Sequence, residues 1–168
     1  FVFGSFGDEQ NHLIGLFHDW DETMNGVYFD FRIDRVEWTD AVGPKMAPEG
    51  AKYVILDVSF DTRELSDEDV DLFGDDFVMM WDTDYSFRCD DLAANGMFGE
   101  EFTVAGDQVS SGKMAYLVPA DAEELYLYFC DYIYDGEDMY YEVGEHYFEI
   151  PINNEISVGD GKILNLSR

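Results

Sequence analysis

Apolar residues recur at every second position through most of the chain, in short runs separated by turn residues. Val27, Phe29, Phe31 and Ile33 alternate with Tyr28, Asp30, Arg32 and Asp34. A period of two belongs to a strand with one face on a core and the other in water. The apolar phase then slips to Val36 and Trp38, which predicts a β-bulge near Arg35. Val54, Leu56, Val58 and Phe60 alternate with Tyr53, Ile55, Asp57 and Ser59 and predict a second, central strand. Phe77 to Trp81 and Tyr85 to Cys89 flank Asp82-Thr83-Asp84 as a hairpin. Glu101 to Val104 forms a short strand, and Lys113 to Val118 another that Pro119 ends. Leu125 to Tyr134 is the longest strand of the second half. Tyr147 to Ile152 follows, with Pro151 marking an edge or an end. Ile156 to Leu166 adds one peripheral strand.

Between these runs lie turn and loop signals. Gly43, Pro44, Pro48 and Gly50 break the chain after Asp40, and Asn95-Gly96 breaks it after Asp90. Asp61 to Asp76 is acidic and turn-rich, and Ser66 followed by Asp69 predicts one short helical turn there. No helical period of ten residues or more appears. The pattern therefore predicts an all-β domain of seven to nine strands, a sandwich or a barrel. Its predicted core includes Val54, Leu56, Val58, Phe60, Leu125, Leu127, Phe129 and Ile133. A chain of 168 residues suits one domain. We divide it into an N-terminal extension (1–24), a sandwich core (25–152) and a C-terminal tail (153–168).

Charge narrows the possible partners. The chain carries 38 acidic against 9 basic residues, a formal net charge of −29. No Lys or Arg precedes Arg32, and none lies between Lys113 and Lys162. Such a field repels nucleic acid and anionic lipid, and it attracts cations and basic partners. No apolar run reaches the 18 residues of a membrane-spanning helix. The chain opens at Phe1-Val2-Phe3, as expected of an exported protein whose leader lies outside this sequence. Two cysteines, Cys89 and Cys130, are too few for a disulfide framework. Alternation puts Cys89 on an inward face with Tyr85 and Phe87, and Cys130 on an outward face with Tyr126 and Tyr128. That divergence argues against a bridge.

One stretch has a familiar shape. Ser110-Ser111-Gly112-Lys113-Met114-Ala115-Tyr116-Leu117-Val118-Pro119, followed by Ala122-Glu123-Glu124-Leu125-Tyr126-Leu127, resembles the telokin-like, immunoglobulin-like domains of unknown function found in surface lipoproteins of Gram-positive bacteria. There a strand starting at Gly ends in aromatic-x-x-Pro, and a short acidic connector leads to the next strand. Phe31 to Trp38, Tyr53 to Phe60 and Phe77 to Tyr85 fit its earlier strands, so the resemblance covers roughly residues 25 to 152. It implies an immunoglobulin-like two-sheet β-sandwich, an extracellular or surface-anchored location, and a non-enzymatic role toward a protein or glycan at the cell surface. It brings no active site. This chain departs from the pattern in its acidity and in the aromatic crowding near its end.

The chemistry-bearing candidates are few. The acidic loop with Asp67, Asp69 and Asp71 offers oxygens that calcium favours, but it fails the EF-hand spacing: Phe73 and Met80 stand where ligands are needed. A frame starting at Asp21 fails at Arg32. His12, His18 and His146 sit in no nucleophile or zinc motif and read as surface or packing residues. No motif singles out a carboxylate pair for glycoside hydrolysis. We therefore expect no cofactor and no catalytic residue. The remaining candidate is a tyrosine ladder. Leu125, Leu127, Phe129 and Ile133 share the core face, and Tyr126, Tyr128, Tyr132 and Tyr134 share the other. Such rings can bind a protein or stack on sugars, a second reading as a carbohydrate-binding module. The competing expectation is that residues 1–24, with Phe17 and Trp20, fold over that face and bury it.

The charge generates a first prediction. Counterions should relieve carboxylate self-repulsion, so sodium and calcium should both raise the melting temperature, calcium at lower concentration. A saturable calcium effect at constant ionic strength, abolished by Asp69→Ala with Asp71→Ala, would instead mark a specific site in the acidic loop.

Overall fold

The computed structural model describes residues 15–73, 76–82, 84–86, 89, 92, 97–98, 101–134, 136–137, 139–152 and 156–159. Expectations for His12, Phe87, Asn95-Gly96 and most of the last predicted strand fall outside these residues. Among the described residues there are fourteen strands: β1 (Gly15–Asp19), β2 (Met24–Asn25), β3 (Asp30–Thr39), β4 (Ala41–Val42), β5 (Lys45–Met46), β6 (Ala51–Asp61), β7 (Val70–Phe73), β8 (Phe77–Trp81), β9 (Asp84–Ser86), β10 (Glu101–Val104), β11 (Val109–Pro119), β12 (Tyr126–Tyr134), β13 (Tyr140–Glu149) and β14 (Ile156–Val158). Seven of them have five residues or more, and short pieces make up the excess over the predicted number.

The long strands form two sheets. One has the order β1-β13-β12-β8-β9 and the other β11-β6-β3-β14, with β2 paired to β3. The chain crosses between these two sheets after β1, after β6, after β9, after β11 and after β13. In immunoglobulin terms, β3, β6 and β11 stand as A, B and E, and β8, β12 and β13 as C, F and G. This is an all-β sandwich. Gly15–Asp19 and Met24–Asn25, which lie in the expected N-terminal extension, add a strand to each sheet. Ile156–Val158, from the expected tail, pairs with β3.

Core burial follows the alternation. Val54, Leu56, Val58, Phe60, Leu125, Leu127 and Phe129 are all buried. The register skips Asp34 between Ile33 and Arg35, which is the bulge the phase slip predicts. Ile33, on one side of it, and Val36, on the other, are both fully buried. Three polar bonds tie the sheets together. Trp38 Nε1 donates to the Pro151 carbonyl at 2.8 Å, and the Tyr116 hydroxyl to the Phe77 carbonyl at 3.0 Å. Asp131, buried on β12, accepts the Val27 N–H at 3.0 Å and the Tyr132 N–H at 3.1 Å.

Several expectations need correction. Val70 to Phe73 is strand β7, paired antiparallel with β10, and Ser66 caps no helix there. Leu72 is buried and Val70 packs on the core, so a short period-two run lay inside the acidity. Tyr53 and Ile55, on the opposite face of β6 from Val54 and Leu56, are buried as well, in a second cluster with Val42, Leu92 and Met97. Ile133 is 43% exposed, because β8 accompanies β12 only from Tyr126 to Phe129 and the hairpin runs on beyond it. Tyr85 pairs with Met80 and is 54% exposed, so its face looks outward.

Phe60 makes ring contacts with Phe29, Phe31, Phe77, Phe98 and Phe102, all with centroids within 5.8 Å. Phe60→Ala should cost about 3–5 kcal/mol, a large share of the roughly 5–15 kcal/mol that holds such a domain. Urea unfolding would check this, and a loss under about 1.5 kcal/mol would mean that the site collapses around the cavity.

Candidate functional site

The outer face of the β1-β13-β12-β8-β9 sheet gathers the aromatic residues. β12 sends Leu127 and Phe129 into the core, so Tyr126, Tyr128 and Cys130 point the other way. Tyr128 lies opposite Tyr147 of β13 and Val78 of β8. β1 runs parallel to β13 with Phe17 beside Tyr147. The Phe17 ring stacks on Tyr147 at 4.8 Å and 12°, and meets Tyr126 edge-on at 5.9 Å and 84°. Tyr128 and Tyr147 are tilted by 54° at 5.1 Å.

Tyr126, Tyr128 and Tyr132 are half-buried, and Tyr134 is 41% exposed. Part of the expected cover is therefore real. Phe17 caps Tyr147 from the edge strand, whereas Trp20 packs against the core. Phe17 is itself 64% exposed. Beyond the β13 irregularity between Glu142 and Gly144, the β12–β13 hairpin pairs Ile133 with Tyr141, and both are exposed. Thirteen large hydrophobic side chains are exposed among the described residues, and seven of them lie on β1 and this hairpin. Scattered exposed hydrophobics need no explanation, but a concentration of them marks a surface that meets something.

Carboxylates line the same face. The Tyr128 hydroxyl donates to Glu145 Oε2 at 2.9 Å, and burial pushes both groups' pKa values up. The Tyr126 hydroxyl reaches Glu124 at 3.5 Å. Cys130 is a buried thiol with Glu142 Oε2 3.7 Å away, and its pKa is pushed up to about 12, first by burial and then by the Glu142 charge. A thiol held protonated in this way is a packing group and a poor nucleophile. Cys89 is also a thiol and packs with the second cluster. Tyr132 is raised to about 12 by burial, then by Cys130 and acidic neighbours.

The acidic loop is tied into the fold. Asp69 Oδ1 accepts the Gly106 N–H at 3.0 Å, and Asp71 Oδ1 accepts the Thr103 hydroxyl at 2.7 Å. Asp67 lies with its backbone against Gly106 and its side chain exposed. Among the described residues, no three His, Cys, Asp or Glu side chains gather as a metal would need. Two open clefts are also present. One, of 480 Å³, lies beside Trp20, Glu149 and Pro151. The other, of 630 Å³, lies beside Asp30, Asp61 and Arg63, where Asp61 holds Arg63 at 2.8 and 3.0 Å. His18 and His146 lie on the core side of the sheet, bonded to each other at 2.9 Å, a pairing that no sequence motif signalled.

No family model matches the chain, and no curated protein matches it by sequence. Three solved structures share its architecture. The Bacillus subtilis protein ycdA, described as a candidate lipoprotein, superposes with a TM-score of 0.60 at 13% identity, over 88% of this chain and 42% of its own. The yjhA protein of the same organism gives 0.50 at 14% identity, over 76% of this chain and 98% of its own. An uncharacterized β-sandwich protein of Clostridium difficile gives 0.50 at 9% identity, over 83% and 97%. The likeness is one of fold. This chain spans less than half the length of ycdA, and none of the three carries the name of an enzymatic activity. Among the described residues, no helix is long and apolar enough to cross a membrane.

The Tyr128–Glu145 bond can be tested through pH. Because Glu145 has a raised pKa in the fold, its contribution to stability is present at low pH and is lost as pH rises through that value. The Tyr128 hydroxyl opposes this by stabilising the ionised carboxylate. Tyr128→Phe should therefore cost about 1–2 kcal/mol at pH 7 and less near pH 4.5, where a larger share of Glu145 carries a proton. Denaturant curves at the two pH values measure it, and an equal loss at both would detach the effect from Glu145.

Proposed function

We propose that this domain is a non-enzymatic, extracellular interaction module that binds a protein partner through β1, the β12–β13 hairpin and the adjoining outer face. The observation that carries this reading is the concentration of exposed apolar side chains on these elements, Phe17 and Tyr134 on the outer face and Leu16, Ile133 and Tyr141 on the other, with the exposed carboxylates Glu124, Glu137, Glu142 and Glu149 on and beside them. An apolar centre within a charged rim is the anatomy of a protein–protein contact. The acidic rim fits a partner with Lys and Arg around an apolar patch, and the net charge of −29 would speed their encounter. The surface location rests on the likeness to ycdA and on the lipoprotein-domain resemblance.

The second reading, carbohydrate binding by the tyrosine ladder, rests on the aromatic content of the same face. Sugar platforms use exposed rings in one plane, and here Phe17 and Tyr126 stand at 84° while Tyr128 and Tyr147 are tilted and partly covered. That geometry favours the protein partner.

A photo-crosslinking amino acid at Tyr141, in protein displayed on cells of the producing organism, should give one dominant protein adduct. The same label at Asp121, away from the hairpin, should give none. The adduct should fall at least tenfold with Ile133→Ser and in raised salt. Equal adducts at both positions would overturn the proposal. So would saturable binding of a cell-wall glycan that Tyr126→Ala abolishes, which would support the sugar reading.

A further inference from the structure

Strand β1 is held on the sheet by more than its backbone. His18, on its core side, places Nε2 2.9 Å from Nδ1 of His146 on β13. The two rings are stacked, with centroids 5.2 Å apart and planes 19° apart. His18 also stacks on Phe148 at 4.7 Å, and His146 lies over Phe129 at 6.5 Å. Both imidazoles are largely removed from water: His146 is buried and His18 is 14% exposed.

Protonation controls this contact. With both rings neutral, one N–H donates and the other nitrogen accepts. One extra proton is tolerated, since an imidazolium still donates to a neutral partner. A second proton leaves two donors and two positive charges facing each other in an apolar setting, with no acceptor between them. The nearby titratable groups are few among the described residues. Glu22, in the turn after β1, has Oε2 3.9 Å from His18 Nδ1, and its Oε1 accepts the Asp19 N–H at 2.6 Å. On β12, Asp131 shares the core side with Phe129, but it is engaged by the N–H groups of Val27 and Tyr132. The other side chains packed here, Phe31, Phe129 and Phe148, do not titrate.

We infer that His18 and His146 form an acid-sensitive latch that holds β1 on the sheet, and that acidification releases β1 together with the Phe17 ring it lays on Tyr147. Loss of β1 would uncover Tyr147, now 4% exposed, and remove Phe17 from the face. The latch stands whatever binds there. Where the interaction proposal also holds, it makes that binding acid-sensitive.

The sign follows from linkage. Burial, then the charge on His18, lowers His146 to about 4, and burial lowers His18 against the pull of Glu22. Once β1 is released, His18 is an ordinary imidazole of pKa about 6.5 and His146, still on β13, loses the charge and cover of His18, so the released state takes up more protons. Docking is therefore fully present above about pH 6.5 and weakens as pH falls toward 4, by up to roughly tenfold per pH unit for one proton. The buried carboxylates Asp131 and Glu145 have raised values and act in the opposite sense, so the body of the sandwich should not loosen over the same window. Release confined to β1 is the signature.

The experiment uses the whole chain without a partner. Histidine ring signals are followed by NMR from pH 7.5 to 4, and amide protection factors are measured for residues 15–19 and for β6 at the same pH values. We expect His18 and His146 to titrate below 6.5, His146 near 4. We expect β1 protection to fall several-fold or more between pH 6.5 and 4.5 while β6 keeps its own. His146→Phe, which suits its neighbours Phe129 and Phe148, should weaken the pH dependence of β1 to the part that burial of His18 alone supplies. Independent titration of both histidines near 6.5 with unchanged β1 protection would overturn the latch. So would a loss of protection that is undiminished in His146→Phe. If that variant does not fold, the wild-type titration decides alone.

Discussion

Everything in this molecule hangs on a single layer of phenylalanine rings between two sheets. Phe31 and Phe60 come from one sheet, and Phe77, Phe129 and Phe148 from the other. Phe31 meets Phe77 at 5.4 Å and Phe148 at 5.4 Å, and Phe77 stacks on Phe129 at 4.6 Å. Each large ring removes much apolar area from water and settles into edge or offset contact with its neighbours. That layer fixes which residue of each strand faces inward. Because a one-residue slip would turn every ring to solvent, it also fixes the register. The Asp34 bulge is a consequence: it returns Val36 and Trp38 to the core side after Ile33.

The layer also decides where the polar groups go. A polar side chain that shares the core phase at the border of the rings still needs a hydrogen-bond partner. At Asp131 the fold supplies N–H donors from Val27 and Tyr132, and at His18 and His146 it supplies each to the other. Buried polar groups persist only when they are paired. Past Asp131 the second sheet contributes nothing to the core side of β12, and Ile133 and Tyr141 stand exposed on a hairpin that continues alone. The candidate interaction surface is thus the place where the strands outrun the core.

Strand order and the core were legible in the sequence wherever alternation was clean, as from Val54 to Phe60 and from Leu125 to Phe129. What failed had physical reasons. β7 was hidden because Val70 and Leu72 are only two apolar positions among acids, and what makes them a strand is pairing with β10, a partner over 30 residues away. The burial of Tyr53 and Ile55 was not legible in the alternation, because a central strand can be buried on both faces and the cover from Leu92 and Met97 is non-local. The first half of β13 was masked by the irregularity at Glu142 to Gly144. For the candidate face, the tyrosines of β12 could be read, but their neighbours could not. Phe17 reaches Tyr147 through a parallel pairing of strands 130 residues apart in number, and Glu145 reaches Tyr128 across a register that no local pattern encodes.

The same non-local step explains why an edge strand sits at the centre of the functional reading. β1 contributes only five residues and buries little: Leu16 and Phe17 are both exposed. Like β9 at the opposite edge of the sheet it has no fully buried residue, and weakly held edges open first. Its two faces, one outward and one toward the core, nonetheless meet both sides of the problem. Phe17 shapes the aromatic face, and His18 answers to the imidazole of His146 beneath it. An element that is marginal in packing and bound through titratable groups responds to its surroundings without disturbing the phenylalanine layer. In a chain this acidic, the bulk of the fold is governed by carboxylates, whose protonation relieves repulsion. The imidazole pair is governed by the opposite sign, and that opposition separates the behaviour of the edge from that of the core.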